Sequence, residues 1–532
     1  MQSTSVFSVI DLLLTVAYID GSLHEGEQKM IRRYADKLAG HVADPMTPES
    51  TVDDWQERFA EAYTKFEAEI AGIVAEVTSS EDSRYVSTRL KVRAVALFRS
   101  FTPADQEVAL ELLGVVMQAD GAVDAIEKEL HDELVAYFRA APTLAPVVGP
   151  PPTEQLVIEP PLSLEPKAFG HPLLDQLEHC YATDPAQLHA QLGSDYHLCF
   201  EAITAWERQR AQGNGRLLGV TDVGQLAPGT KWLDGHVHVL RPDRPTELIV
   251  LGDLHGCYSC LKGTLLQTDF IERVHRHRAD PANHPDVKLV LLGDFIDRGT
   301  FGFEGVLRAA LKLFVTFPDH VVLLRGNHEF LVRRDADVVS AVNPAEAVPA
   351  LSAVAPVEIL EAYRHLFEHM PTSLLFDRIL FVHGGIPRED TLADRFRDLS
   401  SLDDAVTRFE MMWSDPVAMD RVPVELQRES PRFNFGSDQF RAFMERIGCH
   451  TLVRGHEQTD AGFSTVFDGA QRLHTLFSAG GHDNSDLPTE SRYRAVTPKA
   501  LIVRSDPGTL VGTPFEIEYR AFNAPANNGL YR

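Results

Sequence analysis

Five short segments of the chain set acidic, amide or imidazole side chains beside glycine. They are Gly252-Asp253-Leu254-His255-Gly256, Gly293-Asp294-Phe295-Ile296-Asp297-Arg298-Gly299, Gly326-Asn327-His328-Glu329, His383-Gly384-Gly385 and Arg454-Gly455-His456. Such oxygen and nitrogen donors suit borderline divalent cations such as Mn, Fe or Zn, and no thiolate among them demands a softer ion. Glycine lets the backbone turn sharply and lets a substrate come close. A single Gly-Asp or His-Gly is ordinary turn chemistry. Five such segments in succession are hard to obtain that way, so the set reads as a metal-holding site.

Each segment follows a short apolar, β-branched run: residues 248–251, 287–292, 321–324, 379–382 and 451–453. Runs of this length read as buried strands. Helical patterns lie between several of them, and strands alternating with helices predict an α/β layered fold. In such sheets the functional residues sit in the loops at the carboxyl ends of strands, where these segments fall.

The order and spacing of Gly-Asp-x-His-Gly, Gly-Asp-x-x-Asp-Arg-Gly, Gly-Asn-His-Glu and His-Gly-Gly resemble the phosphoprotein phosphatase (serine/threonine phosphatase-like) family of calcineurin-like metallophosphoesterases. Trp413-Ser414-Asp415-Pro416, Phe435-Gly436 and Leu476-Phe477-Ser478-Ala479 extend the resemblance, which covers about residues 246–505. It implies a metallophosphoesterase β-sandwich flanked by helices. Carried over residue by residue, it implies Asp253 and His255 on one metal, Asp294 bridging, and Asn327, His383 and His456 on the second. The implied cofactors are two divalent ions, Mn first, with Fe or Zn as alternatives. The implied reaction is direct attack of a metal-bridging hydroxide on a phosphate ester. His328 is the implied general acid, held by Asp297, and Arg298 would grip the phosphoryl oxygens with its planar fork. A second phosphate arginine is expected before Phe435-Gly436. The segment from Arg428 to Gly436 departs from the family pattern in length, and Arg432 is favoured there over Arg428.

Two further departures bear on substrate. The family's Pro-Asn-Tyr-Cys after Ser478-Ala479 is replaced by Gly480-Gly481-His482-Asp483, so the tyrosine that borders the site is missing; His482 either lines the cleft or sits in a simple turn. Residues 330–358, rich in Ala, Val and Pro, read as a variable loop near the cleft. Gln458 stands where many phosphodiesterase relatives carry a second histidine. His255 and Asp297-Arg298-Gly299 are intact, unlike the diadenosine tetraphosphate hydrolases. The expectation is therefore a phosphomonoesterase acting on phosphorylated protein. Hydrolysis of nucleotides or other small phosphate esters is the alternative. An inactive phosphatase-fold sensor or scaffold is a third reading, opposed by the intact metal set and the His328/Asp297 pair.

The 532 residues exceed one ordinary hydrophobic core. A formal net charge of -27 argues against nucleic acid or anionic lipid as a general partner. The apolar stretch 6–19 lacks a basic leader and is interrupted by Asp11, and no run reaches the roughly 18 apolar residues of a membrane span. A cytoplasmic location and no membrane partner are expected. Cys180, Cys199, Cys257, Cys260 and Cys449 form no framework, which favours a reducing compartment, and Cys257-x-x-Cys260 reads as buried small residues.

Residues 1–140 have helical patterning, with apolar stripes at Leu12, Leu13, Val16 and Ala17 and at Met30, Ile31, Tyr34 and Leu38. A weak repeat relates residues 17–27 to 117–127, so that Asp20, Gly21 and Glu27 recur as Asp120, Gly121 and Glu127. The pattern is a helix, an Asp-Gly turn, then an acidic first turn. It lacks the ligand spacing of an EF-hand. It resembles the tellurite-resistance TerB-like helical domain, which would imply a separate all-α bundle whose acidic turns share a cation or serve only as caps. The resulting division is a helical domain at 1–140, a proline-rich linker at 141–167, a lead-in segment at 168–245 packed on the catalytic domain, and the metallophosphoesterase domain at 246–532. The helical domain is a candidate site for a regulatory or targeting partner.

Overall fold

The computed structural model describes residues 3–19, 21–42, 52–74, 80–119, 125–139, 155–506 and 509–532. Backbone contacts divide the chain into two compact units, Met1–Val148 with Ala418–Asn434, and Gly149–Val417 with Phe435–Arg532.

In the first unit the helices are Ser3–Ala17, Glu25–Val42, Val52–Val74, Ser80–Ser100, Pro103–Val116 and Ala125–Arg139, with the short helix Val424–Arg428 from the later segment. Ser3–Ala17 is the central one. Val9, Ile10, Leu12, Leu13 and Leu14 are fully buried, and Asp11 on the same helix is buried against Arg93, Oδ1 to Nη2 2.9 Å. A buried carboxylate needs such a partner. Lys91 is likewise buried and pairs with Glu129 at 3.0 Å and Glu429 at 3.1 Å. Gly21 has φ 96°, which suits the turn between the first two helices, and Glu27 accepts from the His24 N–H at 3.1 Å as the next helix begins. Asp20, Asp120, Gly121 and residues 140–154, with most of the prolines read as a linker, lie outside the described residues. No helix among the described residues is long and apolar enough to cross a membrane.

The second unit is built on two sheets. In spatial order the six-stranded sheet is Leu156–Ile158, Thr509–Glu516, Lys499–Asp506, Thr246–Leu251, Asp286–Leu291 and Val321–Leu323. The seven-stranded sheet is Phe463–Asp468, Arg472–Leu476, Thr451–Arg454, Ile379–Val382, Ser373–Phe376, Val237–Arg241 and Thr230–Asp234. All five runs read as strands from their apolar content are strands, and every one has a parallel neighbour. Leu156–Ile158 falls within the stretch read as linker, and the strands at 230–241 fall within the lead-in.

Alternation along the strands explains the layers. Leu248, Val250, Val290, Phe381 and Val453 meet in one apolar cluster drawn from both sheets. Ile249, Leu251, Leu289 and Leu291 join a second cluster with helical residues such as Trp206, Phe314 and Tyr363. Leu380, Val382 and Leu452 join a third with Phe440, Phe443 and Ile447. Strands covered on both faces have no polar side, which is why they read as continuous apolar runs. The result is an α/β sandwich with helices outside two facing sheets, preceded in the chain by a helical region.

Candidate active site

The loops leaving these strands bring the predicted residues together. Asp253 and His255 follow Thr246–Leu251, Asp294 follows Asp286–Leu291, Asn327 follows Val321–Leu323, His383 follows Ile379–Val382 and His456 follows Thr451–Arg454. Asp294 stands in the middle. Its Oδ2 lies 3.4 Å from His255 Nε2, and its Oδ1 lies 3.3 Å from His383 Nε2. His255 Nε2 is 3.6 Å from Asp253 Oδ2, and Asn327 Oδ1 is 2.9 Å from His383 Nε2 and 3.0 Å from His456 Nδ1. Donor atoms of His255, Asp294 and His328 form one group that could hold an ion, and those of Asp294, His383 and His456 form another. Asp294 belongs to both.

The backbone is bent to make this possible. His255, Asp294, Asp297, Arg298 and His456 have φ of 42°, 55°, 64°, 66° and 70°, a region that non-glycine residues seldom enter. Strain of this kind persists only where surrounding structure enforces it, and it gathers at functional sites. The adjoining glycines are required by space. A Cβ on Gly455 would lie 2.1 Å from Asp253 Oδ1, and one on Gly326 would lie 2.2 Å from Asp294 Oδ1.

A second layer orients the donors. His255 Nδ1 and His383 Nδ1 each donate to a backbone carbonyl at 3.0 Å, of Ile296 and Leu292, which turns each Nε2 toward the carboxylates. The His456 N–H donates to Asp253 Oδ1 at 2.8 Å. Glu329 is fully buried and accepts from the N–H groups of Asp294, Phe295 and Gly326 at 2.8, 2.9 and 3.0 Å, tying two of the loops together. Arg454, also fully buried, binds Asp415 Oδ1 at 2.7 Å, donates to the Gly384 carbonyl, and meets Glu457 at 2.8 Å. This accounts for the Trp-Ser-Asp-Pro segment: Asp415 anchors the arginine that immediately precedes Gly455-His456.

Electrostatics favour a cation at this place. Burial pushes Asp253 up to about 7, with the Asp294 charge adding to the effect. Burial also holds His255 down at about 3, so it stays neutral and able to coordinate. Burial acts against the charged forms of Asp294 and His383 too, yet their attraction prevails: Asp294 stays well below the carboxylate range and His383 rises to about 9. Asp253 Oδ2 is buried without a hydrogen-bond partner among the described residues. An orphaned carboxylate oxygen among converging imidazole and amide donors fits a hard to borderline cation, and the donor set fits divalent metal.

Beside this cluster, His328 Nδ1 meets Asp297 Oδ2 at 2.8 Å, and its Nε2 is 3.9 Å from Asp294 Oδ2. Burial alone would lower His328; Asp294 and Asp297 overcome it and raise it above the usual imidazole value. Asp297 Oδ1 accepts from the N–H groups of Glu346 and Ala347 at 2.9 and 2.8 Å. Arg298 is partly exposed, its charge felt at His255 and His328.

Residues 246–460 match the calcineurin-like phosphoesterase family. The chain carries a calcineurin-like phosphoesterase domain. The matched family implies divalent metal ions, in keeping with the donors just described. A "probable serine/threonine-protein phosphatase" of Encephalitozoon cuniculi is 25% identical over 279 residues, 52% of this chain and 55% of that protein. A serine/threonine-protein phosphatase of Caenorhabditis elegans is 26% identical over 234 residues, 43% of this chain and 46% of that protein. The chain thus spans about half the length of the curated relatives it matches. A solved protein serine/threonine phosphatase from Saccharomyces cerevisiae covers 61% of this chain and 90% of its own, at 18% identity and a TM-score of 0.39.

Some placements were not evident from the phosphoesterase motifs. Arg432 lies in the first unit, its guanidinium 4.4 Å from the centre of the Tyr85 ring, and Arg428 there is exposed. Tyr493 stacks on His255 at 5.3 Å and meets Phe477 edge-on at 5.0 Å. A tyrosine therefore reaches the donor cluster from beyond the Gly480-Gly481 turn. His482 is exposed in that turn. Cys257 and Cys260 are buried and free.

Proposed function

We propose that the chain is a metal-dependent phosphomonoesterase of the serine/threonine protein phosphatase type. The observation that carries this reading is Asp294, one carboxylate oxygen of which faces His255 and the other His383. Two divalent cations, Mn foremost with Fe or Zn as alternatives, held by Asp253, His255, Asp294, Asn327, His383 and His456 would make a water nucleophilic and neutralise the phosphoryl oxygens.

The chain's own side chains do the remainder. Arg298 grips phosphoryl oxygens and orients the ester for in-line attack. As the water oxygen bonds to phosphorus, the ester P–O bond breaks and His328 gives its Nε2 proton to the departing alkoxide. Asp297 keeps the other nitrogen protonated and the ring aimed. The products are an alcohol and inorganic phosphate. The phosphatase names of the curated relatives support a phosphoprotein substrate over a nucleotide. We place a targeting or regulatory role with the TerB-like helical region.

The test is turnover of p-nitrophenyl phosphate with and without Mn, followed by competition between phosphoserine, phosphothreonine and phosphotyrosine peptides and dinucleotides. Mn-dependent turnover lost in Asp294→Asn supports the reading. Turnover that ignores both Mn and Asp294→Asn overturns it.

A further inference from the structure

The segment read as a variable loop is a built element. Leu331–Arg334 pairs with Asp337–Ser340, and Val338, Val348 and Leu351 are buried in the core. Its carboxyl part carries Glu346, which has no place among the phosphatase motifs. Glu346 Oε1 meets Arg298 Nη1 at 3.1 Å, and Oε2 accepts the Arg298 backbone N–H at 3.2 Å. The Pro344 carbonyl accepts from the same Nη1 at 3.0 Å. The backbone N–H groups of Glu346 and Ala347 go to Asp297. One short stretch thus clamps two successive residues, the carboxylate that orients His328 and the arginine beside it.

The division of Arg298 is informative. Nη1 is occupied twice, while Nε and Nη2 have no hydrogen bond to protein among the described residues. A guanidinium offers donors in a planar fork, and the Nε/Nη2 edge is one that grips two phosphate oxygens at once. Holding the opposite nitrogen restricts rotation of a long side chain that would otherwise lose that freedom on binding. The Arg298 φ of 66° adds to the need for an external brace.

We propose that Glu346 is a positioning residue for phosphate: it fixes Arg298 through Nη1 and the backbone, so that the Nε/Nη2 edge is presented to a phosphoryl group. This rests on the phosphoesterase reading. Glu346 itself touches no substrate, and its effect passes entirely through Arg298.

The experiment uses the full-length, Mn-loaded protein in four further forms, E346A, E346Q, R298A and R298A/E346A. Inorganic phosphate binding is measured by calorimetry and p-nitrophenyl phosphate turnover by initial rates. E346A is expected to weaken phosphate binding and raise KM about tenfold, with kcat changed far less, because a charge-assisted brace is lost while the proton donor stays. E346Q keeps an acceptor and is expected to fall between E346A and wild type. In the R298A background the E346A change is expected to add less than about twofold, as two residues acting through one interaction are not additive. Phosphate affinity in E346A and E346Q within twofold of wild type overturns the proposal, and so does an undiminished E346A effect on top of R298A. Wild-type protein that binds phosphate without turnover defeats the activity reading alone, and the phosphate affinities still decide the role of Glu346. Wild-type protein that binds no phosphate overturns both.

Discussion

His328 Nδ1 stands 2.8 Å from Asp297 Oδ2, and that carboxylate has nothing else to do with Oδ2 among the described residues. A histidine tied in this way has one proton fixed toward its partner and the other nitrogen aimed outward. Replacing His328 by Ala is expected to cost about 10²- to 10⁴-fold in kcat on a phosphoserine peptide, the range for loss of a positioned general acid. The cost should be much smaller on p-nitrophenyl phosphate, whose leaving group needs little protonation. Asp297→Asn should show the same ordering to a lesser degree. Equal losses on both substrates would assign His328 to binding or folding.

The buried pair Arg454 and Asp415 makes a different prediction. Neither has appreciable solvent exposure, and they meet at 2.7 Å next to Gly455-His456. Asp415→Asn leaves the buried guanidinium with only the partly exposed Glu457 as counter-charge, and breaking a buried pair in this way typically costs about 3–5 kcal/mol of stability. Because Arg454 leads directly into His456, Mn affinity should also fall, by about 10- to 100-fold as for other residues that orient ligands. Mn titration by calorimetry and thermal unfolding in chelator separate the two effects. Unchanged Mn affinity would reduce the pair to a structural role.

The strands and the convergence of the carboxylate, amide and imidazole donors were legible in the sequence because both depend on local pattern. Residues such as Val290 and Leu291 face opposite apolar layers, so their runs contain no polar interruption. Asp253, Asp294, Asn327, His383 and His456 sit one to four residues past strand ends, where spacing alone places them. What depends on the path of a long connection was not legible. Glu346 reaches Arg298 only after a two-stranded excursion and a turn. Arg432 follows Ala418–Asn434 into the first unit, and no local signal marks that detour. Tyr493 is the plainest case. The motif position for a tyrosine holds His482, which is exposed beyond Gly480-Gly481, where a Cβ on Gly481 would lie 2.2 Å from the Tyr519 ring and only glycine is admitted.

Tyr493 supplies an aromatic face to His255 by that longer route. Stacking of this kind contributes about 0.5–1.5 kcal/mol beyond area burial and limits ring rotation. Tyr493→Phe keeps the ring and should retain Mn affinity within about twofold. Tyr493→Ala should loosen Mn binding severalfold and lower kcat with it, since His255 loses its backing. The measurement is a Mn titration of kcat for the three proteins. Identical Mn dependence in Tyr493→Ala would show that the ring fills space and nothing more.

A last prediction concerns pH and lies away from the donor cluster. His238 is buried in the strand Val237–Arg241, its Nε2 has no hydrogen-bond partner among the described residues, and the cations Arg210 and Lys231 are its charged neighbours. Burial, then those two cations, hold it down at about 3. The unfolded chain protonates this group near 6.5, so between roughly 6.5 and 3 the unfolded state binds the proton and the folded state does not. The stability that follows from a neutral His238 is complete above 6.5 and is lost as pH falls through that window, at up to about 1.4 kcal/mol per pH unit. His238→Leu removes the titration together with the orphaned nitrogen. Urea unfolding in chelator at pH 7.5, 6.0 and 5.0 should therefore show wild type losing stability more steeply than His238→Leu, with the two closest at pH 7.5. Parallel losses in both proteins would place the acid sensitivity elsewhere, in the buried carboxylates and imidazoles around Asp294 that the two proteins share.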